Sequence, residues 1–234
     1  MGTKLTNLTI GVIVKLFRAL ARAGWTIQDV VALKERASDV LTFLRVTPPE
    51  DKGMSTSTQL ARWVRIYREK FGLILDPETI HLPYRLRGFD RLVVVAVDDL
   101  AKIFAVCQNL FGLWLYRDDL AGTVSSVRTC ESGAYAVWVR NQREADRENR
   151  DQPAQNFERD GCVTLHERIL FEIAYFLETG QHLDEERWTI CAGSRGAGGG
   201  APRVCWSPRR QMVFVGWYDV QGRDSDGAVR AAVA

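Results

Sequence analysis

Residues Cys191 to Trp206 read CAGSRGAGGGAPRVCW, a tract in which glycine and alanine crowd around Arg195 and Pro202–Arg203 closes the run. Such a loop can cradle a phosphate when a strand leads into it and a helix leaves it, because backbone N–H groups and the helix dipole then aim at the anion. A strand pattern does lead in. The residues that follow, APRVCWSPRRQMVFVGW, read as strands, with no Gly-Lys-Ser/Thr ending and no G-x-G-x-x-G opening a helix. The tract is therefore expected to be a hairpin connection. The alternative is anion binding by Arg195, Arg203 and the loop amides, and with it an enzyme built on the loop.

Two further groups carry residue types that could hold metal. Cys162 and His166 are four apart, and Cys191 and Cys205 could complete a zinc site, but the close C-x-x-C pairs of strong zinc signals are missing. Free cysteine is among the most buried residue types, so these thiols are expected in the core and no metal is expected. The tetrapeptide around Asp118 and Asp119 in LYRDDL resembles the paired aspartates of reverse transcriptases, which sit on a strand-turn-strand hairpin and hold two metal ions with a further carboxylate. Here the pair follows a helix with no matching strand upstream, so the acidic residues are expected to open a short helix, DDLAGTVSSV, where they suit its dipole. His81 and His182 read as exposed loop residues, the latter beside the acidic run Asp184 to Glu186.

A basic helix offers different chemistry. Ser55 to Phe71 carries an apolar stripe of Leu60, Trp63, Val64, Tyr67 and Phe71, with Arg62, Arg65 and Arg68 toward the other side. Residues 1–75 hold twelve Lys and Arg against six Asp and Glu. Nucleic-acid binding through Arg62, Trp63, Arg65 and Arg68 is one reading; a solvated helix face is the plainer one, because the whole chain's formal charge is only +2.

The elements that must position these residues begin with helices. Ile13, Leu16, Phe17 and Leu20 recur at helical spacing, Gly24 stops that helix, and Thr26 with Asp29 caps a second. A third ends before Pro48 and Pro49, so residues 1–46 read as a three-helix module ahead of a body over 55–234. The pattern LARAGWTIQDVVAL, followed by another short helix, resembles the N-terminal module of a group of uncharacterised bacterial proteins. That resemblance covers about Leu8 to Leu44, with WTICAGSR fainter, and implies no activity or catalytic residue.

In the body, RLVVVAV (Arg91 to Val97) reads as a central strand covered on both faces, followed by a helix from Asp99 with Cys107 in its buried stripe. AYAVWVR is a second strand. Residues Asn141 to Gly161 are mixed-charge and read as a solvated connection. Thr164 and Glu167 form a capping box for a helix with Leu165, Ile169, Leu170, Ile173, Phe176 and Leu177 buried, closed by Gly180. RWTIC, RVCW and QMVFVGWYDV finish the chain as strands, the last two joined by SPRRQ. This order predicts an α+β fold with a mixed or antiparallel sheet and packed helices.

With 234 residues, 46% of them apolar, the chain can fill a large core. No run approaches the length that spans a bilayer, and Lys15, Arg18 and Arg22 interrupt the N-terminal apolar stretch, so a cytoplasmic protein with no membrane partner is expected. Five cysteines without tight spacing suit reduced thiols. The combined expectation is a cofactor-free, non-enzymatic binding protein. Its contact surface is the C-terminal sheet edge and glycine-rich tract, where Arg195, Arg203, Trp206, Trp217 and Tyr218 collect, and a protein partner is preferred over nucleic acid.

Overall fold

The continuous apolar run at Arg91 becomes strand β1, Arg91–Val95, buried at every position. In this computed structural model, which describes residues 54–116 and 120–234 (backbone alone at Ala121), it pairs with one strand and is not central. Its neighbour is β4, Tyr135–Val139, antiparallel from Arg91↔Val139 to Val95↔Tyr135. The described residues belong to the unit Lys52–Ala234. The helical module expected over 1–46 and the aspartates Asp118 and Asp119 lie outside them.

Side chains take the place of a strand on the other edge of β1. Helix α1, Thr56–Ile66, runs on into a π-helical turn, Tyr67–Phe71, ended by Gly72 at φ 64°. The amide of Gln59 donates to Asp90 O (2.9 Å) and accepts from Leu92 N (2.8 Å). Trp63 Nε1 donates to Leu92 O at 2.9 Å; the Tyr67 hydroxyl donates to Val94 O and accepts from Ala96 N, both at 3.0 Å. Residues four apart on a helix share a face, so this trio satisfies a buried strand edge that would otherwise be left unpaired. Arg62 meets Glu178 together with Arg91, and Arg65 and Arg68 are exposed. Burial alone would raise the Glu178 carboxyl, but the bonds to Arg62 and Arg91 hold it below its ordinary range.

Asp99 caps α2, Leu100–Phe111, which buries Leu100, Ile103, Phe104 and Cys107. After Gly112 come β2, Leu113–Leu115, a single-turn helix α3, Leu120–Thr123, and β3, Val124–Ser126. The short helix expected over DDLAGTVSSV thus gives way to a strand at Val124, where β-branched and polar alternation sets in.

Helix α4, Leu165–Thr179, has the full capping box of Thr164 and Glu167 and ends at Gly180 with φ 67°. Its burial exceeds a stripe. Every residue from Leu165 to Ala174 is buried, including His166, Arg168 and Glu172, whereas Leu177 is exposed. The helix is central because β1 packs on one side and α2 on another.

The remaining strands are β5, Trp188–Ile190; β6, Ser194–Gly196; β7, Ala201–Ser207; β8, Met212–Tyr218; and β9, Gly227–Val229. Four of them, β5, β7, β8 and β9, join β2 in a mixed sheet of order β2-β8-β7-β5-β9, with β2 parallel to β8, β9 parallel to β5, and the other pairs antiparallel. A separate ribbon joins β3 and β6. The architecture is α+β, and the 208–211 turn between β7 and β8 falls on the predicted Pro-Arg-Arg-Gln.

The stretch from Asn141 to Gly161 differs from the solvated connection expected. Single 3-10 turns at Arg147–Asn149, Ala154–Asn156 and Arg159–Gly161 break it up. Ala154 joins Cys162, Ile190, Ala201, Tyr218 and Val229 in a second apolar cluster. Asp146, fully buried, accepts from Arg140 (2.6 Å) and from Ala231 N (2.8 Å). Asp146 and Ala154, with Ala145 and Pro153 buried beside them and Phe157 packed on the second cluster, hold a segment most of whose remaining side chains are polar and exposed.

Candidate functional site

The five-stranded sheet has two unlike faces, and the strand registers assign its side chains to them. Alternation along β7 and β8 sends Val204, Trp206, Val213 and Val215 to the inner face, all buried. The outer positions align across four strands as Trp114, Phe214, Cys205 and Trp188, with Gly216 beside Arg203 in the next row. At one end of this outer face, Ala201, Tyr218, Ile190 and Val229 are covered by the Ala154 segment. The other end has no such cover among the described residues. There Trp114 is 39% exposed and Tyr116 63% exposed.

Aromatic and cationic groups pack along the uncovered end. Trp114 lies 5.0 Å from Phe214, centroid to centroid, and 6.2 Å from Tyr116. The Arg203 guanidinium is 4.2 Å from the Trp188 ring, and that of Arg210 is 5.4 Å from Phe214. Arg203 passes over Gly216, where a Cβ would make only an ordinary contact with it, at 3.7 Å from Nε. Trp114, Tyr116, Trp188, Arg203 and Phe214 line a depression of about 450 Å³.

Tyr116 and Trp217 also border a larger cleft, of about 740 Å³, whose rim is the 196–200 loop and whose other lining includes Thr123, Asp219 and Gln221. The glycine-rich tract links the antiparallel strands β5 and β7, as expected, but it also contains β6, which was not expected; its 196–200 loop has Gly196 N donating to Gly200 O and Gly199 at φ 80°. It also seats Trp217. A Cβ on Gly196 would lie 2.4 Å from the indole ring, so only glycine fits beneath it. No helix follows the loop, and among the described residues no lysine or arginine lines the cleft, so neither a helix N-terminus nor a described cationic side chain is supplied for a phosphate there.

Of the residues expected to form the contact surface, Arg203 and Trp217 both line the depression, Trp217 reaching it from the inner-face phase of Val213 and Val215 at the end of β8. Tyr218 lines the larger cleft but is only 8% exposed, with its hydroxyl donating to Gly222 O at 2.7 Å. Arg195 turns back on its own loop, donating to Ala192 O and Ser194 O at 2.7 Å. Trp206 lies on the opposite face, 5% exposed, because it is one residue out of phase with Arg203 and Cys205. Trp63, placed among the nucleic-acid residues, is 2% exposed and bonded to Leu92 O, so its ring cannot stack on a base. Trp114, Tyr116, Trp188, Phe214 and Asp219 were not singled out. The alternation in LWL and MVFVGWY carries the signal for Trp114 and Phe214.

Trp206 instead belongs to a buried polar centre between α4 and the inner face. Its ring stacks on His182 at 3.4 Å and 5°, with Phe176 stacked on the other side of the imidazole at 4.8 Å. His182, expected to be exposed, is 8% exposed; its Nδ1 is 2.9 Å from Glu172 Oε1. Arg168 Nη1 donates to Glu172 Oε2 and its Nε to Asp184 Oδ2, both at 2.8 Å; Arg230 Nη2 reaches Asp184 Oδ1 at 3.0 Å. Arg168, Glu172, Asp184, Arg230 and Thr189 are all fully buried, and the Thr189 hydroxyl also bonds Asp184. Burial would lower the Arg168 guanidinium, but the Asp184 and Glu172 charges outweigh it and raise it. Two cations facing two carboxylates leave the centre without excess charge, the condition for burying ions at all.

The metal candidates do not converge. Cys162 Sγ donates to Glu158 O at 3.1 Å, and His166 Nε2 is 2.8 Å from Asp98 O. His166 Nδ1 faces Ser126 Oγ at 3.5 Å, which in turn bonds Ser194 Oγ at 2.7 Å, tying the β3–β6 ribbon to α4. Neither cleft reaches these residues. Among the described residues no group of three or more His, Cys, Asp and Glu side chains is placed to hold a metal ion, and no helix is long and apolar enough to cross a membrane. No known protein family, curated protein or solved structure matches the chain.

Proposed function

We propose that the chain is a non-enzymatic binding protein that engages a protein partner through the uncovered end of its outer sheet face. The observation that carries this reading is the contrast along that one face. Its Tyr218 end is covered by the chain's own Ala154 segment, while its Trp114–Phe214–Trp188 end presents half-exposed aromatic rings around Arg203. Large aromatic side chains and arginine are the residue types that concentrate binding energy at protein interfaces. Isolated exposed apolar residues need no explanation, but an aligned group that lines one depression and adjoins a larger cleft does.

The test uses the full chain. Immobilised wild-type protein and its Trp114→Ala variant are exposed to an extract, and a protein retained by the first is purified and returned to it during hydrogen exchange. Loss of that protein from the variant, with protection confined to β2, β7 and β8 in the complex, supports the reading. Retention by the Trp114 variant, or loss only when Arg65 and Arg68 are replaced, overturns it. Nucleic acid retained in a steeply salt-dependent way through Arg65 and Arg68 would identify the other contact chemistry.

A further inference from the structure

We infer that the cleft beside the 196–200 loop is a receptor for one cationic side chain, a lysine ammonium or arginine guanidinium, on an extended segment of the protein partner. The inference rests on the reading of the adjoining face as a protein contact surface, and it assigns that contact its charge. The walls include the aromatic rings of Tyr116 and Trp217, and among the described lining residues Asp219 is the one carboxylate. No lysine or arginine lines the cleft among the described residues. A cation held against aromatic rings gains from their quadrupoles, and more so where water is partly displaced.

The surrounding charge has the matching sign. Tyr218, in the same wall, has its hydroxyl held above its usual range by burial first, then by the negative charges of Asp224 and Asp219, with Asp151 adding to them and Arg203 opposing. Two cations of neighbouring described segments are engaged elsewhere. Arg203 lies over Trp188 with Asp224 at 3.9 Å, and Arg223 donates to the Asp151 carbonyl at 3.2 Å. An anionic ligand would meet Asp219 with no cation among the described lining residues to balance it. The loop leaves room for the guest, because Gly198 and Gly199 have open space where side chains would stand. The cleft's volume of about 740 Å³ exceeds one side chain, so the neighbouring backbone of the segment can enter with it.

The probe is the pentapeptide acetyl-Gly-Gly-Lys-Gly-Gly-amide, with Arg, norleucine and Glu replacing Lys in three companions. Binding is followed through the indole N–H resonance of Trp217, assigned with Trp217→Phe. The Lys and Arg peptides should shift it saturably at millimolar concentration, and Asp219→Asn should weaken them about fivefold. That variant keeps the Asp219 oxygen that accepts from Gln221 N at 3.0 Å, so the local turn survives it. An equal response to norleucine, a preference for Glu or a mononucleotide, no saturable shift, or indifference to Asp219→Asn would each overturn the inference. The two readings fail separately. If Trp114→Ala loses the captured protein while Asp219→Asn keeps it, the contact surface stands and the cation receptor falls. If the Lys peptide binds while Trp114→Ala keeps its partner, the cleft stands and the wider surface falls.

Discussion

The inner and outer faces of the five-stranded sheet are built from the same strands yet do opposite things with aromatic and charged groups. Inside, Trp206 covers His182, and Arg168, Arg230, Glu172 and Asp184 bond one another with no exposure. Outside, Trp114 and Phe214 stack in the open, and Arg203 leans on Trp188 with its side chain one-third exposed (34%). Residue type alone does not distinguish core from contact surface here. Phase along the strand does, because a shift of one residue moves a side chain through the sheet.

The largest effect is expected where inner charges lose a partner. Asp184→Ala leaves both Arg168 and Arg230 short of an acceptor and should cost about 3–5 kcal/mol of unfolding free energy. Asp184 also holds a left-handed backbone at φ 53° that few non-glycine residues adopt, which adds to the reasons this position is demanding. Chemical denaturation measures it; a loss below about 1 kcal/mol would show that the buried ions are not coupled as described.

Gly196→Ala sharpens the comparison at the margin between the faces. The added methyl meets the Trp217 ring, so the indole must move, at a cost of about 1–3 kcal/mol and with a changed tryptophan emission. Unchanged emission and stability would mean that the loop yields and Trp217 does not depend on its seat.

The thiols give a smaller, pH-dependent signal. Burial pushes Cys205 on the outer face up to about 12 and Cys162 up to about 11, and it raises fully buried Cys107 and Cys191 as well. A folded-state value above the unfolded one, about 8.5, means the folded protein holds its thiol protons more tightly. The associated stability is complete below about pH 8.5 and declines as pH rises through the folded values. Denaturation midpoints should therefore fall between about pH 9 and 12. Replacing Cys162 and Cys205 by serine should flatten that fall; a midpoint indifferent to alkaline pH would contradict the burial of these thiols.

Much of this fold was legible because local chemistry decided it. Thr164 and Glu167 announce the start of α4 and Gly180 its end; the turn after Ser207 separates β7 from β8. Long-range pairing was not legible. The run at Arg91 is apolar on both sides as a central strand is, but its second neighbour is a row of side chains. Gln59, Trp63 and Tyr67 stand four apart, and the spacing shows a shared face without showing that the face is a hydrogen-bonding one. For the candidate site, Arg203 and Trp217 were found from their place near the loop, whereas Trp206 was included because the strand's phase cannot be fixed until its partner is known. His182 was misplaced for a related reason: its short polar loop hides the aromatic stack that closes over it.

The smallest expected change in stability is also the most informative one. Trp114→Ala on the outer face and Trp206→Ala on the inner face remove the same side chain from the two strands that flank β8, and both variants can be measured for unfolding free energy and for retention of the captured protein. Trp114→Ala should stay within about 0.5 kcal/mol of wild type and lose at least about tenfold in partner affinity, while Trp206→Ala should lose about 3–5 kcal/mol. A Trp114 variant as destabilised as the Trp206 variant, or one that binds its partner undiminished, would contradict the assignment of the outer face as the contact surface.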